Sequence, residues 1–188
     1  MYGRIFKRVF DILLSGIALA LLAPFFLLIV LVIRLEDGSG ALFIHERVGQ
    51  NGRRFRLLKF RSMPINTDNK PSAVAHNLKI TRTGRFIRRT NIDELPQLIN
   101  ILKGDMSVVG PRPALPVQER LLALRVHNGA DNCRPGLTGL AQVHSYNGMP
   151  EDEKAEWDGH YAGGITFFGD VTIILKTFVY LLKQPPVY

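Results

Sequence analysis

The sequence has one cysteine, no internal repeat and comparatively few acidic residues, and each shortage excludes a class of protein. Cys133 alone cannot form an internal disulfide framework, and the chain has no Cys/His spacing typical of a zinc site. The 16 acidic residues are outnumbered by 24 lysines and arginines, so the formal net charge is +8. This excess favours anionic partners, which are nucleic acid, anionic lipid or a nucleotide substrate.

Charge is also absent from Ile12 to Ile33, a run of 22 residues. As a helix this run would measure about 33 Å, enough to cross the roughly 30 Å hydrocarbon core of a bilayer. Pro24 divides it into two pieces that are each too short to cross, and proline inside a helix removes a hydrogen bond and kinks the axis. Basic residues flank both ends, so orientation rules leave both a re-entrant hairpin and a kinked spanning helix open.

A β-hairpin is predicted within residues 41–63, where two apolar-rich stretches lie on either side of Asn51-Gly52. The second strand carries Arg54 and Arg56 on one side and Lys59 on the other. The arginines either keep a solvated sheet edge soluble or contact an anion. The polar residues 66–77 predict a surface loop, which is either a plain connection or a substrate lid.

Three later stretches, residues 116–126, 150–161 and 170–183, have helical patterns. The last is apolar on both sides, so it fits either a core helix or a helix that lies in a membrane interface. Together with the hairpin, these stretches predict an α+β fold that is mainly helical, with an N-terminal membrane segment and amphipathic interfacial helices.

The adjacent carboxylates Asp93 and Glu94 stand just before Pro96. Proline is tolerated in the first turn of a helix but not in its interior, so a helix is predicted to begin at residues 93–95. Four arginines precede the pair: Arg82, Arg85, Arg88 and Arg89. Carboxylates beside arginines and the positive end of a helix suit chemistry on a phosphate, whereas capping of the helix is the simpler explanation of either carboxylate.

A further arginine stands in Gly110-Pro111-Arg112-Pro113. The prolines hold this segment extended and fix the direction of Arg112. An arginine held in this way is suited to contact a phosphate or a base. Alone, the tetrapeptide is a weak signal, and its weight comes from the acidic pair that precedes it.

In their order, these segments resemble the bacterial sugar transferase family, the small monotopic phosphoglycosyl transferases. The matching segments are KRVFDILLS, HERVGQNGRRFRLLKFRSM, ITRTGRFIRRTNIDELPQLINILKGDMSVVGPRP and CRPGLTGLAQV. The resemblance covers nearly the whole chain. The chain is similar to the minimal catalytic form of the family.

The resemblance implies transfer of a sugar 1-phosphate from a UDP-sugar to undecaprenyl phosphate, with release of UMP, as the initiating step of bacterial glycoconjugate synthesis. It implies a covalent aspartyl-phosphosugar and a Mg²⁺ cofactor, with Asp93 as nucleophile and metal contact and Glu94 as its catalytic partner in proton handling. Arg88 and Arg112 are the expected contacts of the donor substrate. Further candidate substrate contacts are Lys59, Arg85, Pro111 and Pro113.

The resemblance also favours the re-entrant topology, because UDP-sugars are cytosolic. Residues 1–35 are then a membrane helix bent at Pro24, and residues 36–188 a catalytic domain on the cytoplasmic face of the bacterial inner membrane. Inner-membrane lipids are expected partners and a homodimer is left open. Nucleic acid is not expected, since the aromatic residues do not form stacking platforms with the basic ones.

The chain departs from the family pattern at three places. Ala23-Pro24 replaces the common Ser-Pro at the bend, and His144 to Asn147 stands where many members carry Asn-Gly-Arg-Asn. Gly163 to Gly169 lacks the Trp-Ser of many members. The alternative function is a membrane-anchored binder of anionic ligands that performs no chemistry.

Overall fold

The structure, a computed structural model, describes residues 2–38, 40–64, 80–145 and 149–182. Seven α-helices and four short strands make up most of this part of the chain. In order they are α1 (Lys7–Asp37), β1 (Leu42–Val48), β2 (Arg54–Phe60), α2 (Arg82–Arg89), α3 (Gln97–Lys103), β3 (Ser107–Val109), α4 (Glu119–Asn128), β4 (Gly136–Thr138), α5 (Leu140–His144), α6 (Glu151–Gly163) and α7 (Phe167–Leu182). The predicted α+β class, mainly helical, is confirmed.

Helix α1 contains the whole apolar run and continues through Pro24. The predicted break at Pro24 is therefore not confirmed, and the predicted domain boundary at residues 35–36 falls inside the helix. A proline costs an interior helix one hydrogen bond and some crowding. Packing of Leu22 and Phe26, on either side of Pro24, against the rest of the molecule offsets that cost. The helix ends at Gly38, whose φ of 65° suits glycine and whose N–H donates to the Arg34 carbonyl.

One stripe of α1 packs against the remaining chain along its whole length. Near the start, Asp11 accepts hydrogen bonds from the Ser107 hydroxyl and the Val108 N–H of β3. Near the end, Ile29 and Ile33 are buried in a cluster with other apolar residues, Ala41, Phe60 and Ile87. The other side of α1 exposes large apolar side chains, among them Ile17, Leu21, Leu27, Leu28 and Leu35. By length and composition, α1 is the one helix of the described residues that could cross a membrane.

The predicted β-hairpin is confirmed. Strands β1 and β2 are antiparallel, and Asn51 and Gly52 in the connecting turn have φ of 54° and 71°. Asparagine and glycine tolerate this left-handed region better than other residues, which explains the turn. Arg47 pairs with Phe55, and Lys59 with Phe43, so both basic side chains lie on one face of the hairpin. The loop predicted at residues 66–77 lies outside the described residues.

A second sheet, parallel and two-stranded, joins β3 to β4. It escaped sequence reasoning because each strand has only three residues. Apolar side chains from β2, α3, β3, α6 and α7 form the main core around this sheet: Leu57, Leu98, Ile101, Met106, Val108, Val109, Tyr161 and Ile173. Helices α6 and α7 match their predicted ranges closely, whereas α4 begins three residues later than the predicted start at residue 116.

The predicted helix start at residues 93–95 is wrong by two to four residues. Helix α3 begins at Gln97, and Asp93 and Glu94 lie in the preceding 3₁₀ turn, Ile92–Glu94. The N–H groups of Leu95 and Leu98 donate to carbonyls three residues back, so the chain is wound more tightly than an α-helix here. Because α3 has only seven residues, side-chain cations, rather than a long helix dipole, set the potential at the acidic pair.

Candidate active site

The acidic pair lies between α2 and α3 and faces strand β2. Asn91, with φ of 54°, turns the chain out of α2 and begins the 3₁₀ turn that carries both carboxylates. Asp93 is buried, with 9% of its surface exposed, and the Glu94 side chain is 14% exposed. Two acidic residues are thus held next to each other in a site with little solvent. Because a buried charge is costly unless it is paired, the surroundings of each carboxylate decide its charge.

Glu94 is neutralised by two cations. Its Oε1 accepts hydrogen bonds from Lys59 Nζ at 2.7 Å and from Arg112 Nη2 at 2.8 Å. Burial acts to raise the pKa of Glu94, but the positive charges of Arg112 and Lys59 outweigh it and hold that pKa well below its usual range. Glu94 is therefore ionised throughout the physiological pH range.

Asp93 is in the opposite situation. Within the described residues, none donates a hydrogen bond to its carboxylate or lies at ion-pair distance from it. Burial raises its pKa to about 6, opposed by the charge of Lys59, reinforced by Glu94, and opposed further by Arg88 and Arg112. At neutral pH the carboxylate is mostly ionised yet has no partner in the described part of the chain, which is the state required of a nucleophile.

The predicted arginines fall into two groups. Arg112 contacts Glu94 directly, and Arg88 in the last turn of α2 lies close enough to lower the pKa of Asp93. Arg85 is exposed on α2 and is not among the groups that chiefly set the pKa of either carboxylate. The structure therefore groups Arg88, Arg112 and Lys59 with the acidic pair and leaves Arg85 outside it.

Pro111 and Pro113 are buried on either side of the exposed Arg112. The Pro111 carbonyl accepts a hydrogen bond from the Gly136 N–H at 2.8 Å, which ties the segment to β4. Both prolines are thus placed to hold Arg112 rather than to contact a ligand through an open surface.

Arg47 belongs to this site, although sequence reasoning counted it only among the basic residues after the apolar run. Burial and the charge of Arg112 lower its pKa to about 10, while Glu94 raises it. Its Nη1 donates to the Pro113 carbonyl at 3.3 Å, and its Nε is buried without a partner in the described part of the chain. The available signal was parity, because residues 47, 55 and 59 of a hairpin with this register share one face.

The donor set fits a magnesium ion that arrives with its substrate. No group of three or more His, Cys, Asp or Glu that could hold a metal ion occurs in residues 2–38, 40–64, 80–145 and 149–182. Mg²⁺ commonly takes one or two carboxylates and completes its shell with water and substrate phosphates. The unpaired carboxylate of Asp93 meets that requirement, whereas Oε1 of Glu94 already accepts from two cations.

Comparison with known proteins gives a consistent set of matches. A family model described as "Bacterial sugar transferase" matches residues 2–184. An "Uncharacterized sugar transferase" of Haemophilus influenzae is 34% identical over 206 residues, which cover 99% of this chain and 43% of that protein. The "Undecaprenyl-phosphate galactose phosphotransferase" of Salmonella typhimurium is 38% identical over 207 residues, covering 99% of this chain and 42% of that protein.

A third relative is covered more fully. The "UDP-glucose:undecaprenyl-phosphate glucose-1-phosphate transferase" of Caulobacter vibrioides is 39% identical over 191 residues, covering 97% of this chain and 72% of that protein. The chain thus spans about two fifths of the first two relatives and most of the third.

Proposed function

The chain belongs to the bacterial sugar transferase family, and we propose that it transfers a sugar 1-phosphate from a UDP-sugar to undecaprenyl phosphate and releases UMP. Two relatives are named for reactions with undecaprenyl phosphate. One is named as a galactose phosphotransferase, and the other as a glucose-1-phosphate transferase that uses UDP-glucose. The observation that carries the proposal is the contrast at the acidic pair, where Glu94 is neutralised by two cations and Asp93 has no hydrogen-bond or ion-pair partner among the residues that the structure describes.

Asp93 is the proposed nucleophile. One carboxylate oxygen attacks the phosphorus that bears the sugar, and the bond from that phosphorus to the bridging oxygen breaks. UMP leaves with the bridging oxygen and its electron pair, and an aspartyl-phosphosugar remains. A phosphate oxygen of undecaprenyl phosphate then attacks the same phosphorus, which forms the polyprenyl diphosphate sugar and restores the Asp93 carboxylate. The two-step route lets a water-soluble donor and a lipid acceptor use one site in turn.

Neutralisation of the diphosphate falls to the surrounding cations. An anionic carboxylate attacks an anionic phosphorus only after positive groups reduce the repulsion. Arg112, Lys59, Arg47 and Arg88 supply fixed positive charge at this site, and a bound Mg²⁺ would add further neutralisation with Asp93 as its contact.

Glu94 orients these cations. Because its pKa is held far below neutrality, Glu94 is ionised at physiological pH and can act as a fixed anion, and the expected role in proton handling stays a prediction. It holds the ends of Lys59 and Arg112 within hydrogen-bond distance of one oxygen, so that both point to the same small volume. Fixed cations of this kind need no rearrangement when the transition state forms.

Membrane association from one side is part of the proposal. Both ends of α1 pack against the same body of the chain, whereas a helix that crossed a bilayer would carry one end away from it. The exposed side of α1 and the exposed residues of α7, including Phe168 and Phe178, are apolar and suited to the acyl region. We propose that the site lies at the membrane surface, on the cytoplasmic face of the inner membrane, because UDP-sugars are cytosolic and the acceptor is a membrane lipid.

Helix α2 extends this surface into the headgroup region. Phe86 is 60% exposed and is surrounded on the helix exterior by three exposed arginines, Arg82, Arg85 and Arg89. The Glu36 carboxylate at the end of α1 accepts hydrogen bonds from the N–H groups of Arg82 and Thr83 at 2.7 and 3.0 Å, so α2 begins where α1 ends. A basic helix with an aromatic wedge suits an anionic lipid surface.

The proposal is tested by the nucleotide that is released. Protein in nanodiscs is incubated with undecaprenyl phosphate, Mg²⁺ and a panel of UDP-sugars, and the products are separated. UMP release that is lost in Asp93→Asn and kept in Asp152→Asn, an exposed carboxylate of α6, is the expected result. Release of UDP would mean ordinary glycosyl transfer and overturn the proposal, and binding of UDP-sugars without turnover would favour a non-catalytic binder.

A further inference from the structure

Four successive carbonyl oxygens around Arg112 are held by three different parts of the chain. The Pro111 oxygen accepts from Gly136 N, the Pro113 oxygen from Arg47 Nη1 and the Ala114 oxygen from Val48 N. The oxygen of Arg112 itself accepts from Arg125 Nη1 at 3.0 Å. The backbone beneath the catalytic arginine is therefore fixed by β1, α4 and β4 together.

Among these donors, Arg125 is a buried charged side chain outside the acidic site. It is 7% exposed, and its Nε and Nη2 donate to Asp158 Oδ2 on α6 at 2.9 and 2.6 Å. Its third nitrogen, Nη1, reaches the Arg112 carbonyl. A planar guanidinium can satisfy a carboxylate and a carbonyl at once, which a lysine ammonium of one nitrogen cannot do with the same geometry.

The carboxylate that orients Arg125 has a fixed backbone of its own. Asp158 is 1% exposed, and its neighbour Gly159 lies so close to α4 that a Cβ there would come within 2.7 Å of Asn128 Nδ2. Asn128 Nδ2 also donates to the Ala155 carbonyl at 2.6 Å, which locks α4 to α6. Neither partner of the pair can move without moving both helices.

We propose that Arg125 and Asp158 are positioning residues for the catalytic arginine. Asp158 orients the Arg125 guanidinium, the guanidinium fixes the Arg112 carbonyl, and the fixed backbone keeps the Arg112 side chain on Glu94. The inference rests on the proposed function for its kinetic test only.

The need for such support follows from the exposure of Arg112. Its side chain is 46% exposed, and an exposed arginine that pairs with a carboxylate gains little net free energy because ordering the long side chain costs entropy. Fixing the Cα and carbonyl of Arg112 reduces the number of conformers that must be lost. A displacement of a catalytic group by about 1 Å can lower a rate by about 100-fold, so a remote pair can matter to the chemistry.

The test uses a swap that removes both charges. Arg125→Ala alone would leave Asp158 buried and unpaired, which costs enough to unfold a small domain. Arg125→Met combined with Asp158→Leu keeps side-chain volume and leaves no buried charge, so the fold is retained while the contact to the Arg112 carbonyl is lost. Arg125→Lys is the second variant. It keeps the positive charge opposite Asp158 but removes the guanidinium that contacts Asp158 and the Arg112 carbonyl at once.

The chain offers a matched control on the same two helices. Arg120 of α4 pairs with Asp152 of α6 through contacts of 2.7 and 3.0 Å, but this pair is exposed and does not contact Arg112. Arg120→Met with Asp152→Leu therefore breaks an Arg–Asp ion pair between α4 and α6 and leaves Asp158, Arg125 and Arg112 unchanged.

Two readouts decide the matter. The Arg125/Asp158 swap is expected to lower kcat for UMP release by about 10- to 100-fold, and the control swap by less than about twofold. In an Arg112→Met background the same Arg125/Asp158 swap should cost less than about twofold, since coupled residues are not additive. An equal loss in both backgrounds, or in the control swap, would overturn the proposal.

The second readout needs no activity. Nitrogen-15 NMR of labelled arginine side chains, with Arg112→Met for assignment, should show the Arg112 guanidinium signal shifted or broadened in the Arg125/Asp158 swap but unchanged in the control swap, because the Arg112 backbone is then no longer held in place. Lys59, Arg47, Asp93 and Arg88 also face this region and are unchanged in every variant. An Arg112 guanidinium signal that is unchanged in the Arg125/Asp158 swap would overturn the proposed positioning role, and it does so even if wild-type protein releases no UMP and the proposed function fails.

Discussion

The acidic pair and the buried cluster around Asp170 both set carboxylates against a lysine, yet they have opposite properties. Asp170 is fully buried and both of its oxygens are satisfied, Oδ2 by Lys7 Nζ at 2.6 Å and Tyr2 Oη at 3.0 Å, and Oδ1 by Tyr161 Oη at 2.9 Å. Asp93 is nearly as buried but has no hydrogen-bond donor within the described residues.

The difference shows how to separate a structural carboxylate from a reactive one. Burying a charge is costly unless it is paired, and the Asp170 cluster meets that cost with three donors that fasten the start of α1 to α6 and α7. At the acidic pair the donors all go to Glu94, and the cost of leaving Asp93 unpaired appears as its raised pKa. A largely buried carboxylate with a raised pKa and no described partner does not stabilise the fold, which makes it a candidate for a functional role.

Asp93→Asn is the substitution with the largest expected effect on this comparison. Loss of the nucleophile should lower UMP release on the order of 10⁴-fold or more. The same change should raise the melting temperature, because the pKa of Asp93 is higher in the folded state than its ordinary value of 3.8, so ionisation at neutral pH destabilises the fold. Radiolabelled product assays and thermal melts in detergent measure both effects. A stable mutant with near-normal turnover would remove Asp93 from the mechanism.

Lys7→Met tests the other member of the comparison. Removing one partner of a buried pair leaves Asp170 as an uncompensated charge, so unfolding should become easier by about 3 to 5 kcal/mol. Arg54→Met is the control, because it breaks the exposed ion pair with Glu46 and should cost less than about 1 kcal/mol. Denaturant titration in micelles gives the two free energies, and equal values would show that burial of the Asp170 cluster has no energetic consequence.

The pH dependence of turnover sharpens the comparison further. Because the pKa of Asp93 is raised to about 6, the nucleophile becomes protonated below that pH, and kcat/KM should fall by about tenfold per pH unit on the acid side. Glu94 should add no limb of its own, since its pKa is held far lower. Asp93 affects folding stability in the opposite direction. Its contribution to the free energy of unfolding declines as pH rises from 3.8 to about 6.

Arg88→Met tests whether the acid limb of the pH profile of kcat/KM comes from Asp93. The charge of Arg88 lowers the pKa of Asp93, so its removal should move the acid limb to higher pH. Arg85→Met, on the same helix, is the matched control and should leave the limb in place, because Arg85 is exposed and is not among the groups that chiefly set the pKa of Asp93. Identical shifts in the two variants would mean that overall charge, and not the site, sets the limb.

Sequence reasoning predicted the acidic pair from its local pattern and singled out Arg88 and Arg112 as donor contacts through the family resemblance. The hairpin was predictable from Asn51-Gly52, since that turn chemistry depends on two residues alone. What it missed depends on contacts far apart in the chain. Arg47 reaches the site only because hairpin register puts it on the face of Lys59, and Arg125 only because α4 packs on α6.

Pro24 shows a different reason for error. Local propensity argued for a break, but burial of Phe26, Ile29 and Ile33 on the far side of the proline holds the helix continuous. Tertiary packing overrides a local penalty of about 3 kcal/mol when several large side chains are buried beyond it. The unpaired state of Asp93 was equally invisible to sequence, because it follows from where the nearby cations point.

The smallest expected effect concerns the surface that α2 presents to lipid. Trp157 is the single tryptophan, so Phe86→Trp in a Trp157→Phe background gives a protein with one reporter on the exposed face of α2. Its fluorescence should be quenched by lipids brominated near the headgroup, whereas Val126→Trp, an exposed apolar position of α4, should not be quenched. Because each interfacial arginine contributes about 1 kcal/mol with anionic lipid, replacing Arg82, Arg85 and Arg89 by glutamine should weaken quenching in phosphatidylglycerol vesicles more than in neutral ones. Absence of quenching at position 86, as expected at position 126, would place α2 away from the membrane and leave α1 and α7 as the proposed apolar contact of this chain.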